Sequence, residues 1–211
     1  MATELIVKAK RLGTIREVMR FLYDIENVYT NMYLFDFISS KDNEDKIRLF
    51  LEKFPNLKEK LDFPWHGTDK TFQHYFGEYP FPEHEETEKR FLLFHLLKRE
   101  IADFIVPTDR LTISKINIQS PGYWEFLGSL NPLQQIREYF NDRHERQKDS
   151  LYRNRQEEEL RNLIILEKKV DILRKVGCDE AEIRPFIKKV IIEPLHLLTM
   201  HQDSGLIEGV E

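Results

Sequence analysis

The chain has 211 residues, of which 33% are charged, and a formal net charge of −5. This length suffices to bury a core, and the near balance of charge gives no reason to expect DNA or an anionic membrane as a partner. The single cysteine, Cys178, excludes an intrachain disulfide framework and favours a reducing, cytoplasmic compartment.

No segment offers the roughly 18 uncharged apolar residues that a membrane-spanning helix needs. The N-terminal segment lacks the apolar core and small-residue cleavage site of a secretory signal. We therefore predict a cytoplasmic protein, with a peripheral membrane contact as the minor alternative.

The first elements in the chain are a strand and a long helix. Leu5, Val7 and Ala9 occupy alternate positions, which predicts a short strand with one packed face. Thr14 and Glu17 have the spacing of a capping box, in which each side chain bonds to the other residue's backbone N–H at the start of a helix. The apolar residues that follow recur at spacings of three and four. We expect a helix of about 25 residues whose broad apolar face packs on the sheet or on other helices.

A second helix is predicted within residues 43–54, and a segment rich in aromatic residues, proline and glycine follows at residues 62–84. Loops of this length are uncommon in compact domains and often carry function. The aromatic side chains either pin the loop to the surface or form a ligand or partner site. The candidate ligand-binding residues are Trp65, His74, Tyr75 and Tyr79.

A helical pattern returns at Thr87, and residues 111–119 then alternate as a strand. The apolar positions change phase between Ile113 and Ile116, which indicates a bulge or bend between them. Because two strands do not make a stable sheet in water, a third strand must come from the aromatic loop or from another protomer. This is an indication of self-association through a strand edge.

The segment SPGYWEFLG is predicted to be a short helix, since Ser120 is a good cap residue and Pro121 is favoured in a first helical turn. It contains three candidate interaction residues, Tyr123, Trp124 and Phe126. We expect these side chains to enter the core beneath the first helix. The alternative is an exposed contact for a partner or a membrane.

Asn131 and Pro132 start a long charged helix, which would run to Val176 if it is continuous. Its second half carries an apolar seam that predicts packing on another helix. The seam residues are Leu163, Leu166, Val170 and Leu173. Gly177 ends this helix and Asp179 caps the next. The chain therefore folds back as a helical hairpin, or alternatively the seam joins a second chain in a coiled coil.

The nearest approach to a catalytic motif is an arginine with a downstream histidine, as in helical ribonucleases of the HEPN type. In that motif the two side chains converge at a helix interface to position and protonate a scissile phosphate. The candidate pairs are Arg90 with His95 and Arg137 with His144. The histidines have no recognised metal-ligand spacing, and there is no glycine-rich phosphate loop or nucleophile elbow, so we predict neither a metal nor a cofactor.

Three segments resemble a bacterial family of unknown function, chiefly cyanobacterial: IREVMRFLYDIENVYTNMYLFDFI, INIQSPGYWEFLGSLNPLQQIREYFNDRHERQKD and HQDSGLIEG. The resemblance spans most of the chain, with the aromatic loop as its variable part. It implies a bacterial setting and brings no active-site residues. The order of strand, helices and charged helix also resembles adaptor modules of bacterial signalling and defence systems.

The sequence as a whole predicts a mostly helical α+β fold. Residues 1–130 form an N-terminal domain with a minimal sheet packed by helices, and residues 131–211 form a long charged helix and a C-terminal helical hairpin. The function we expect is a non-enzymatic, self-associating scaffold or adaptor that pairs through a strand edge or the helical seam. The alternatives are a small-ligand or nucleotide-responsive sensor that uses the aromatic loop, and a HEPN-like ribonuclease.

Overall fold

The computed structural model describes residues 2–40, 43–53, 85–100, 105–117, 121–147 and 153–210. In chain order the elements are β1 (Ala2–Ala9), α1 (Ile15–Ser39), α2 (Glu44–Lys53), α3 (Glu85–Arg99), β2 (Thr112–Asn117), β3 (Gly122–Ser129), α4 (Leu130–Gln147), α5 (Arg153–Lys175), α6 (Glu180–Ile187), α7 (Glu193–Asp203) and β4 (Ile207–Val210). A 3-10 turn at Pro107–Asp109 precedes β2, and a π-helical segment at Lys188–Ile192 joins α6 to α7. The predicted mostly helical α+β fold is confirmed.

The chain divides into two compact units that are interleaved along the sequence. Unit 1 consists of Met1–Tyr33, Ile105–Ile165 and Val190–Glu211, and unit 2 of Leu34–Phe104 and Leu166–Lys189. The predicted domain boundary at residue 130 falls inside unit 1, where β3 leads directly into α4.

Unit 1 contains an antiparallel sheet of four strands in the order β2-β3-β1-β4. Leu5, Val7 and Ala9 are buried on one side of β1, as the alternation predicts. On the same side, the ring of Phe21 in α1 lies 5.3 Å from that of Trp124 in β3. We call this the helix side of the sheet and the opposite side the open side.

The prediction of a short helix that begins after Ser120 and runs to Gly128 is wrong, because Gly122–Ser129 forms β3. Its residues alternate between buried and half-buried, with Gly122, Trp124, Phe126 and Gly128 on the helix side. Gly128 is required there because a Cβ atom would lie 2.7 Å from the hydroxyl oxygen of Tyr29. Trp124 and Phe126 enter the core beneath α1, as expected.

The expectation that a third strand comes from the aromatic loop or from another protomer is also wrong. β3 and the C-terminal β4 pair with β1 on its two edges, so both strands missing from the prediction are supplied by this chain. The indication of self-association from an incomplete sheet therefore no longer holds.

The local signals at the ends of α1 and α5 are confirmed. At the start of α1, the backbone N–H of Thr14 donates to Glu17 at 2.8 Å, and the N–H of Glu17 donates to the hydroxyl of Thr14 at 3.2 Å. After α5, Gly177 has a φ of 96° and donates to the carbonyl of Arg174, while Cys178 donates to that of Leu173. This is the Schellman arrangement, in which a residue of left-handed conformation ends a helix.

In unit 2 the chain folds back after Gly177, as the hairpin prediction requires. Asp179 caps α6 by accepting hydrogen bonds from the N–H groups of Ala181 and Glu182. Arg184 in α6 then donates to both carboxylate oxygens of Glu167 in α5, at 2.7 and 3.0 Å. Whether α4 and α5 form one continuous helix stays a prediction, since residues 148–152 lie outside the described part.

Candidate functional site

The clearest exposed element of unit 1 is β2, which lies at one edge of the sheet. β2 pairs with β3 on one side, and no described strand pairs with its other side. Ile113 is 43% and Ile116 is 51% exposed, although both belong to the apolar pattern of the strand. An exposed edge presents unpaired N–H and C=O groups to which another strand can add.

A bulge at Ser114 determines which side of the sheet each residue of β2 occupies. Ile113 lies opposite Phe126 and Lys115 lies opposite Glu125, so two steps on β2 correspond to one on β3. The hydroxyl of Ser114 donates to the carboxylate of Glu125 at 2.5 Å. The predicted phase change is therefore confirmed, and it places Ile113 and Ile116 together on the helix side.

The open side of the sheet carries a hollow of about 570 Å³. Its lining combines an aromatic ring and an aliphatic side chain with two lysines and two glutamates: Tyr123, Ile6, Lys8, Lys115, Glu125 and Glu208. The balanced charges give the hollow no net preference for an anion or a cation. Of the predicted interaction residues, Tyr123 is the one that faces this side.

A second exposed apolar surface lies at the start of α1 and consists of Leu12, Ile15, Met19 and Tyr23. The last three residues are four apart, so they lie on one face of the helix. Ile15 is 80% exposed. Ile15 is the first residue of the apolar pattern that predicts the packed face of α1, but the residues that α1 buries in unit 1 begin at Phe21. We call this surface the α1 stripe.

The other predicted interaction residues have different environments. Trp124 and Phe126 are 5% and 1% exposed, and the seam residues Val170 and Leu173 are also buried within the chain. Leu163 is exposed and Leu166 is half-buried. The buried members pack inside a single chain, so they do not form a contact surface on it.

The first catalytic candidates, Arg90 and His95, have different neighbours. Arg90 donates to the backbone carbonyl of Ile38 at 2.5 Å, whereas the ring of His95 lies against Phe94 and Phe186. Residues five apart are separated by about 140° around a helix, which explains why the two side chains diverge. Burial, together with Lys98 and Lys189, lowers the pKa of His95 to about 4.

In the second candidate pair, Arg137 donates to the backbone carbonyl of Glu4 in β1. This bond ties α4 to the sheet. The side chain of His144 lies outside the described part of the structure, as do the ligand candidates Trp65, His74, Tyr75 and Tyr79. The predictions for these residues stay predictions.

Within the described residues, no group of three or more histidine, cysteine, aspartate or glutamate side chains is arranged to hold a metal ion. A buried carboxylate and histidine do meet in unit 1, where Asp24 and His201 approach to 2.8 Å. Phe21 covers the His201 ring edge-on. Among the described helices, none has the length and apolar character to cross a bilayer.

Comparison with known proteins adds no relative to this picture, since the chain matches no family model, no curated protein and no solved structure.

Proposed function

We propose that this protein is a non-enzymatic adaptor that associates with itself through the β2 edge of its sheet. The observation that carries the proposal is the exposure of Ile113 and Ile116 on a strand whose outer edge has no described partner. Addition of a strand supplies the outer edge of β2 with backbone hydrogen-bond partners and covers these two side chains.

An adaptor also needs a surface for another protein. The α1 stripe provides a candidate, since side chains at spacings of four are the usual anchors of helix-in-groove recognition. It lies on a different element from β2, so association through the edge leaves α1 with its own set of exposed residues. Leu163 on α5 is also exposed and belongs to unit 1, so it is a further apolar side chain that a protein partner could contact.

Two alternatives have less support. The sensor hypothesis depends on residues 62–84, which lie outside the described part, and stabilisation by a metabolite in a thermal-shift screen would be needed to revive it. The ribonuclease hypothesis needs an arginine and a histidine that converge, and the described contacts of Arg90 and His95 point to different neighbours.

The proposal is tested by replacing Ile116 with lysine and measuring the molar mass by light scattering over a range of concentrations. We expect the wild-type mass to rise with concentration, because a single strand pair forms a small interface and hence a weak dimer. Ile116→Lys should remain monomeric, since each contact would bury an unpaired charge.

Met200→Lys is the matched control, because Met200 is 48% exposed in the same unit but lies on α7. It should associate like the wild type. A wild-type chain that stays monomeric at every concentration would contradict the proposal.

A further inference from the structure

The side chains of β2 follow an unusual order of faces. Directly opposite residues in an antiparallel pair point to the same side of the sheet, so the partners on β3 assign each position. Ile113 and Ile116 face Phe126 and Trp124 and lie on the helix side. The other positions lie on the open side: Thr112 opposite Leu127, Lys115 opposite Glu125, Asn117 opposite Tyr123, and Ser114 bonded to Glu125.

From Thr112 to Asn117 the order is therefore open, helix, open, open, helix, open. This order is the same when it is read backwards. In a regular strand of six residues the two sides alternate strictly, so reading the strand backwards exchanges the two sides at every position. The symmetry of β2 is a direct result of the bulge, which adds one residue to the strand.

We propose that two copies of this chain pair their β2 strands antiparallel about a two-fold axis that passes between Ser114 and Lys115. This inference rests on the proposed function and specifies its partner and register. In this register Ile113 of one copy lies opposite Ile116 of the other, and the same contact occurs twice. Thr112 lies opposite Asn117, and Ser114 opposite Lys115.

Every pair in this register matches in face. The two isoleucine pairs extend the apolar helix side from one sheet to the next and cover side chains that are about half exposed in the single chain. Each lysine meets a serine hydroxyl of the second copy and keeps Glu125 of its own β3 as its opposite residue. Like charges directly opposite each other would destabilise the pair, and this register contains no such contact.

The same bulge explains why the partner should be a second copy. Bulges and lysines on an edge strand discourage addition of ordinary strands. A regularly alternating strand can pair with both halves of β2 only if one of its residues lies opposite the Ser114–Lys115 step, as Glu125 of β3 does. A second β2 carries the same extra residue in the same place, so the two strands match residue for residue.

The register is tested by cross-linking between cysteine variants. When a regular strand pairs antiparallel with a second copy of itself, opposite residues lie on the same side of the sheet only if the two-fold axis passes through a residue position. The residue at that position then lies directly opposite its own copy. In the register proposed here the axis lies between residues, so no residue of β2 is opposite itself. Ile113→Cys and Ile116→Cys are therefore prepared separately, both with Cys178→Ala to remove the natural thiol.

We expect little covalent dimer from either variant alone after treatment with a short bis-maleimide reagent. An equimolar mixture should give the mixed dimer as the main product, identified by a mass tag on one of the two chains. Met200→Cys, at a comparably exposed position, measures the background from random collisions. Circular dichroism of each variant verifies that it is folded.

The other outcomes separate the two proposals. Covalent dimers of Ile113→Cys or Ile116→Cys with itself would show pairing in another register and overturn this inference alone. A mixture that gives only background product, while light scattering still shows a dimer, would place the interface elsewhere and also overturn it. If the mixture gives only background product and light scattering shows a monomer, both the register and the proposed function are overturned.

Discussion

At the scale of single residues, His95 shows how the environment of a side chain determines its role. The sequence offers it as a catalytic candidate because an arginine precedes it. In unit 2 it lies beside two phenylalanine rings and two lysines, and burial is the main reason that its pKa falls from 6.5 to about 4. A histidine of this kind is neutral at physiological pH and acts as a packing residue.

This pKa predicts a pH dependence of stability. The unfolded chain protonates His95 below pH 6.5, whereas the folded chain does so only near pH 4. The contribution of neutral His95 to the free energy of unfolding is therefore fully present above pH 6.5 and is lost as the pH falls from 6.5 to 4. Relative to His95→Gln, the free energy of unfolding of the wild type should drop by about 1–2 kcal/mol between about pH 7.5 and pH 5.

Urea unfolding of both proteins at several pH values measures this difference. His196→Gln, at an exposed position on α7, is the control for replacing a histidine as such. A difference between the wild type and His95→Gln that does not change with pH would show that His95 titrates alike in the folded and unfolded chains.

At the scale of elements, the most local signals were the most predictable. The capping box of Thr14 and Glu17 and the stop at Gly177 depend on residues within one turn, so the sequence identifies them without knowledge of the fold. The bulge near Ser114 was predictable for the same reason, because the apolar positions change phase inside one short strand.

β3 was not predictable by this reasoning, because two signals conflict in it. Ser120 and Pro121 form a good helix start, while the large residues that follow are typical of strands. Both sides of β3 carry apolar residues, which hides the alternation. Pairing with β1 along all eight residues decides the outcome, and that contact is distant in sequence.

Tyr29 joins three elements of unit 1 and gives a prediction at this scale. Its hydroxyl donates to the backbone carbonyl of Asp109 in the 3-10 turn and accepts from the N–H of Ser129 at the end of β3, at 2.6 Å. Tyr29→Phe leaves both backbone groups without this partner. We expect a loss of about 1–3 kcal/mol in the free energy of unfolding.

Tyr33→Phe is the matched control, because Tyr33 stacks on Tyr29 but is only half-buried and donates to the carboxylate of Asp109 at 3.2 Å. Its loss should be smaller, below about 1 kcal/mol. Equal effects of the two replacements in chemical denaturation would show that the Tyr29 hydroxyl does not hold these elements together.

At the scale of the whole molecule, the proposal of self-association changes its basis. From the sequence it followed from a sheet that lacked a strand, with the helical seam as the other possible contact, and β3 and β4 remove the first reason. In the structure it rests on β2, whose position at an edge depends on the order of all four strands. Strand order is set by contacts between distant parts of the chain, so the sequence could predict the irregular strand but not its exposure.

The α1 stripe was missed for a similar reason. The apolar pattern of α1 is continuous from Ile15 onward, and a pattern alone does not show where the sheet beneath a helix ends. Met19 and Tyr23 stand four and eight residues after Ile15, and this spacing was the available signal for an exposed face. The sequence thus predicted a helix with an apolar face but not how much of that face is covered.

The most direct test of the account is backbone hydrogen exchange of residues 111–117 at low-micromolar and at near-millimolar protein concentration. If two copies pair through β2, the amides on its outer edge should exchange more slowly in the concentrated sample. β1, which is paired on both sides, should exchange equally in both samples, and Ile116→Lys should abolish the dependence in β2. Equal exchange of residues 111–117 at both concentrations in the wild type would contradict pairing through this edge.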